Sequence, residues 1–137
     1  MIVRTLEEIE GSSREVFAEN NNWVSKRFLI EEDDMGFSFN ETIIYANTET
    51  LIWYKNHVEA VYCVEGEGEI ETTNDGTVYP IKPGTMYALD KHDRHYLRAY
   101  KKDLRLLCVF NPALVGTEIH DKDGSYVKVN PQSVVEK

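Results

Sequence analysis

Between Leu51 and Phe110 the chain repeats one pattern: a short run of β-branched, aromatic and aliphatic residues, then a turn signal, roughly every 8–12 residues. The runs fall at 51–54, 58–64, 69–73, 77–81, 86–89, 95–100 and 104–110. The punctuation between them is Gly66 and Gly68, the Asn74-Asp75-Gly76 tripeptide, Pro83-Gly84, and the polar turns at 91–93 and 101–103. Asn-Asp-Gly suits the positive φ of a tight hairpin. No 3.6-residue apolar stripe interrupts this stretch, so it predicts an all-β sandwich or barrel. Upstream, 23–30 and 37–45 are also β-compatible, separated by an acidic, exposed turn at 31–34. The first ten residues read as a strand edge. No internal repeat or linker divides the 137 residues, which suit a single domain with a core barrel at about 35–112. The polar tail, 113–137, is punctuated by Gly116 and Gly124 and reads as a surface loop or lid ending in a loose terminus.

Composition narrows the function classes. Fifteen Lys and Arg stand against 24 Asp and Glu, a formal charge of −9 that disfavours phosphate backbones and anionic lipid, so neither nucleic acid nor membrane is expected as a partner. Cys63 and Cys108 lie far apart in apolar runs without a CxxC pair, which predicts buried free thiols and fits a reducing cytoplasm. No apolar leader or bilayer-length run is present.

Chemistry-bearing side chains gather in two stretches, from Trp53 to Glu59 and from Tyr87 to His95. Their spacing resembles the two motifs of the cupin superfamily, whose fold is a double-stranded β-helix, a jelly-roll-like barrel. In the second motif, Gly84 is followed after five residues by Asp90, then His92, then His95 in the metal-histidine position, with Ala99 where Asn is usual. In the first, Glu59 and Gly66 keep their separation, while Asn47, Trp53 and Lys55 stand where a Gly and two His are usual. Glu59 and His95 alone would hold a metal poorly, since catalytic sites usually supply three protein donors. Tyr87, His57 and His92 are the candidates for the third. A metal-free or sugar-binding cupin acting as a ligand-binding sensor, and a metal-dependent dioxygenase or isomerase, are the rival readings on this barrel.

Longer strings carry a more specific resemblance. The run Trp53-Tyr54-Lys55-Asn56-His57-Val58-Glu59-Ala60-Val61-Tyr62-Cys63, the run from Pro83 to His95, Cys108-Val109-Phe110-Asn111-Pro112 and Gly116-Thr117-Glu118-Ile119-His120-Asp121 resemble the L-ectoine synthase family, with Met35-Gly36-Phe37-Ser38 also matching. Asn47 and Ala113 depart from the family at turn positions. The resemblance implies a hydro-lyase that closes N-γ-acetyl-L-2,4-diaminobutyrate into ectoine, working as a homodimer in compatible-solute synthesis. It implies iron(II), with zinc as an alternative, held by Glu59, Tyr87 and His95. Substrate contacts then map onto Trp23, Ser25, Thr42, Tyr54, Cys108, Phe110, Glu118 and His120, with Tyr54, Glu118 and His120 as acid–base candidates. Residues from Asn111 to Tyr126 would form a lid over the barrel mouth.

Overall fold

The computed structural model describes residues 1–126. Expectations for 127–137, including a loose Val134-Val135-Glu136-Lys137 end, lie outside the described residues. Antiparallel strands form two sheets. The six-stranded sheet contains β1 (Glu15–Phe17), β2 (Trp23–Leu29), β3 (Ser38–Ile44), β5 (Val58–Glu65), β8 (Met86–Leu89) and β10 (Leu104–Asn111), in the order β1-β2-β3-β10-β5-β8. The four-stranded sheet contains β4 (Glu49–Ile52), β6 (Gly68–Thr72), β7 (Val78–Ile81) and β9 (His95–Ala99), in the order β4-β9-β6-β7. The larger sheet therefore begins upstream of residue 35, because β2 pairs with β3.

Alternation along each strand decides which side chains meet between the sheets. On β5, Glu59, Val61 and Cys63 are buried while Ala60 and Tyr62 face out; on β10, Leu104, Leu106, Cys108 and Phe110 are buried. From the other sheet, β9 turns His95, Leu97 and Ala99 inward. The lumen is thus graded. Cys63, Leu97, Leu104 and Leu106 make an aliphatic floor, in which each fully buried leucine contributes about 1.5–3 kcal/mol. Register places the polar end opposite it: Phe110 pairs with Glu59, Leu89 with Glu59, and Ile52 with His95.

Two crossovers between the sheets lie at that polar end. Residues 53–57 carry the chain from β4 to β5, and residues 90–94 carry it from β8 to β9. At the opposite end, Gly66 has φ +91° and a Cβ there would lie 2.3 Å from the Asp103 carbonyl oxygen, so only glycine fits the tight link from β5 to β6.

The N-terminus differs from the expected strand edge: Leu6–Ile9 is a short helix. Thr5 explains its start, because its Oγ1 accepts from the Glu8 amide at 3.3 Å, and Glu7 and Glu8 sit favourably in the first turn. The acidic stretch is a 3₁₀ turn, Glu31–Asp33, and its Asp33 side chain is buried rather than exposed. Asp33 accepts from Arg4 at 2.7 Å, Arg14 at 2.9 Å and the Ile30 amide at 2.9 Å. Burial alone would raise its pKa, but these donors outweigh it and hold the group at about 2. A carboxylate depressed in the folded state stabilises above its unfolded pKa, and that contribution fades as pH falls toward 2. Asp33→Asn is accordingly expected to cost about 1–2 kcal/mol at pH 7 and progressively less on acidification through pH 3, read by urea melts across that range.

The described part of the tail, 113–126, packs inward at several points. Leu114 is fully buried, its amide donating to Ser38 Oγ at 3.0 Å. Further on, Trp53 N donates to Gly124 O, Lys55 N to Ser125 Oγ and Asn56 Nδ2 to Tyr126 O, at 2.9, 3.0 and 3.1 Å. Gly124 has φ +75°, and a Cβ there would stand 2.1 Å from the Leu51 carbonyl oxygen. That close approach lets residues 121–126 strap the polar end of the barrel.

Candidate active site

Thirteen side chains from both sheets and the tail line a narrow cavity of about 20 Å³ at this end. Among them are Glu59 and Tyr87 and six of the eight expected substrate positions: Trp23, Thr42, Tyr54, Cys108, Phe110 and His120. Burial dominates their chemistry. It raises the Glu59 carboxyl to about 8, an effect that a hydrogen bond from Cys108 only partly offsets. Burial, and then the neighbouring Glu59, also hold the Tyr87 phenol well above its ordinary value. His95 is pushed downward by burial and is therefore neutral at pH 7.

These three groups approach one another from two sheets. Val61 pairs with Tyr87 and Glu59 with Leu89, so Glu59 and Tyr87 are diagonal neighbours on one sheet face. His95 comes from the facing sheet, its ring centroid 6.5 Å from that of Tyr87. Its Nδ1 donates to the Asp93 carbonyl at 2.9 Å, which leaves the Nε2 lone pair available and fixes the ring, as metal-ligating histidines require. Among the described residues no three His, Cys, Asp or Glu side chains converge, so a metal here depends on a phenolate as the third donor. Carboxylate, phenolate and imidazole suit iron(II) or zinc. The other two histidines considered do different work. His57 is buried and makes edge contacts with Phe110 and Tyr126, while His92 bonds to backbone carbonyls.

Beside these three groups lies a hydrogen-bonded pair. The Tyr54 hydroxyl is 2.9 Å from His120 Nε2. Burial, then the charges of Tyr126 and Glu59, keep Tyr54 protonated, and burial together with the nearby Arg27 lowers His120 to about 3. Tyr54 packs edge-on to Phe110 at 5.2 Å, and Trp23 lies 4.9 Å from His120.

Ser25 and Glu118 stand behind the cavity wall and hold Arg27. Ser25 Oγ accepts from Arg27 Nε at 3.1 Å, and the Glu118 carbonyl accepts from Nη2 at 2.7 Å. The Glu118 carboxylate accepts from the Val115 and Gly116 amides at 2.6 and 2.8 Å and lies 3.7 Å from Arg27 Nη1. Arg27 was absent from the sequence-based site. Its signal was parity, since Trp23, Ser25 and Arg27 share the inward face of β2. Arg27 Nη1, Trp23 Nε1 and Asn40 Oδ1 are buried without a hydrogen-bond partner among the described residues. Tyr126 is the second omission. Its ring stacks on Tyr54 at 4.8 Å, lies under the Arg27 guanidinium and lines the cavity.

The family model described as ectoine synthase matches residues 1–130. The chain belongs to the ectoine synthase family. An L-ectoine synthase from Sporosarcina pasteurii is 63% identical over 134 residues, 98% of each chain. One from Desulfatibacillum aliphaticivorans is 58% identical over 126 residues, 92% of this chain and 96% of that protein. The crystal structure of ectoine synthase from P. lautus superposes with a TM-score of 0.79 at 59% identity, covering 85% of this chain and 81% of that one. The all-β architecture is thus the cupin double-stranded β-helix of an ectoine synthase, as the motif spacing implied.

Proposed function

We propose that this ectoine synthase family member closes N-γ-acetyl-L-2,4-diaminobutyrate into ectoine, with Glu59, Tyr87 and His95 as its metal ligands. The observation that supports this most is the Tyr54–His120 pair opening into the same cavity as Glu59 and Tyr87. When bound there, iron(II), or zinc in its place, supplies Lewis acidity toward an amide carbonyl. The rest is the work of side chains.

Cyclisation joins the α-nitrogen to the acetyl carbonyl carbon and releases the oxygen as water, so two protons leave nitrogen and two reach oxygen. His120 arrives neutral and takes a proton; Tyr54 arrives protonated and gives one. Their mutual hydrogen bond lets one pair serve both directions. Arg27 Nη1, which makes no hydrogen bond among the described residues and faces the Glu118 carboxylate at 3.7 Å, receives the substrate carboxylate. That anion cancels part of the charge that depresses His120, so the base strengthens only once substrate is seated. Glu118 balances Arg27 and anchors it, while Trp23, Thr42, Cys108 and Phe110 shape the wall. Folding the flexible substrate so that amine meets carbonyl is worth up to roughly 7–11 kcal/mol in favourable systems.

Residues 113–126 act as a lid. Ligand sites usually occupy roughly 300–1,000 Å³, far more than the cavity that Tyr126 lines, so the strap at 121–126 moves as substrate enters. The enzyme works as a cytoplasmic homodimer. Ala60, Tyr62, Met86, Ala88 and Val109 form an exposed apolar face near the β8 edge, suited to a second copy, and no described helix is long and apolar enough to cross a membrane. The test is incubation of the iron-loaded protein with the acetylated diaminobutyrate, with ectoine detected by NMR. Turnover to ectoine is expected; absence of product with iron present would sink the assignment.

A further inference from the structure

The three ligands do not share a sheet. Glu59 and Tyr87 belong to the six-stranded sheet and His95 to the four-stranded one, so the size of the shell depends on how the sheets are held apart at this end. Both connections that cross between the sheets here are irregular chain, residues 53–57 and 90–94. A single side chain in the second connection reaches backbone of the first twice. His92 Nδ1 lies 2.8 Å from the Tyr54 carbonyl oxygen and 3.1 Å from that of His57. Two carbonyls can only accept, so Nδ1 carries the proton and donates to both. The residue holds φ at +52°, a left-handed conformation that costs a non-glycine residue, while its ring is directed onto the facing crossover.

We propose that His92 is a positioning residue: by tying the β8–β9 crossover to the β4–β5 crossover it fixes the distance between His95 and the Glu59–Tyr87 pair, and thereby metal affinity. It also pins the backbone of Tyr54, whose hydroxyl meets His120. The inference rests on the assignment of Glu59, Tyr87 and His95 as ligands.

A turn residue with no other task would be improved by glycine, which adopts positive φ freely. This opposition supplies the test. His92→Gly keeps the turn and removes the donor; His92→Asn tolerates the same φ and offers its amide Nδ2 where the imidazole Nδ1 stands. Iron(II) and zinc affinities are measured by chelator competition on the full chain, with Tm recorded for the metal-free forms. His92→Gly is expected to bind either metal about tenfold more weakly, the usual scale for residues that orient ligands. Its metal-free Tm should stay near that of the unsubstituted protein, and His92→Asn should restore affinity. Undiminished affinity in His92→Gly, with His95→Ala losing metal, overturns the tie alone, as does failure of Asn to rescue. Undiminished affinity in His95→Ala overturns the ligand assignment, and the tie falls with it.

Discussion

Replacing His95 by alanine is expected to leave a folded barrel that no longer retains iron and turns substrate over at least about three orders of magnitude more slowly. The size follows from the several kcal/mol that a metal contributes to polarising an amide. Two donors remain in the variant, and neither Glu59 nor Tyr87 carries a charge without a cation to displace its proton, because burial raises both. Metal content of the purified variant and kcat with added iron check this. The same burial gives metal binding a pH dependence of definite sign. Glu59 in the metal-free protein is protonated below about pH 8 and the Tyr87 phenol throughout that range, so binding must expel both protons, and affinity rises by up to about a hundredfold per pH unit below pH 8 and by up to about tenfold above it. Stability of the metal-free protein runs the other way. The folded carboxyl holds its proton up to about 8 whereas the unfolded one loses it near its ordinary value, so stability declines as pH rises through that interval. Glu59→Gln removes the dependence of stability and the Glu59 share of the dependence of binding, leaving the share that comes from the Tyr87 phenol. Iron retained by His95→Ala at the normal stoichiometry contradicts the shell.

Local chemistry was the part of this molecule that could be read from its sequence. The Asn74-Asp75-Gly76 hairpin forms as expected, since Asp75 Oδ1 takes the Thr72 hydroxyl at 2.5 Å and the Thr77 amide at 3.0 Å, all within six residues. The apolar runs at 58–64 and 104–110 likewise form strands, β5 and β10. Features that depend on distant partners were not visible. Arg27 looks like any surface arginine until the carbonyl of Glu118, 91 positions away, is found on its guanidinium. The Gly124-Ser125-Tyr126 segment has the composition of a surface loop, yet it packs inward because Gly124 meets Leu51 and Trp53 in backbone contact. Leu6–Ile9 failed as a strand edge because a threonine cap and two acidic residues outweighed a short apolar run. Tyr87 is intermediate. Its position made it one of three candidate third donors, but only the family resemblance singled it out as a ligand, since a phenol needs a cation to lose its proton near neutral pH.

The second large effect belongs to the Tyr54–His120 pair. Tyr54→Phe deletes one oxygen and keeps the ring that packs on Phe110 and Tyr126, so the fold and Tm should change little. The lost proton carrier should lower kcat by about 10²–10⁴, the range for positioned acid–base groups, while KM stays within a few-fold. His120→Gln should fall in the same range. Its amide can still meet the Tyr54 hydroxyl but cannot accept a proton at neutral pH. Because the two act as one unit across a 2.9 Å contact, the double variant should be little slower than the worse single one. Arg27 adds a distinguishing feature. With the substrate carboxylate countering its charge, His120 should titrate higher in the enzyme–substrate complex than in the free enzyme, so the acid limb of kcat moves with substrate while that of kcat/KM does not. Additive losses in the double variant would assign the protons to separate, independent groups; a kcat for Tyr54→Phe near that of the unsubstituted enzyme would remove the phenol from the chemistry altogether.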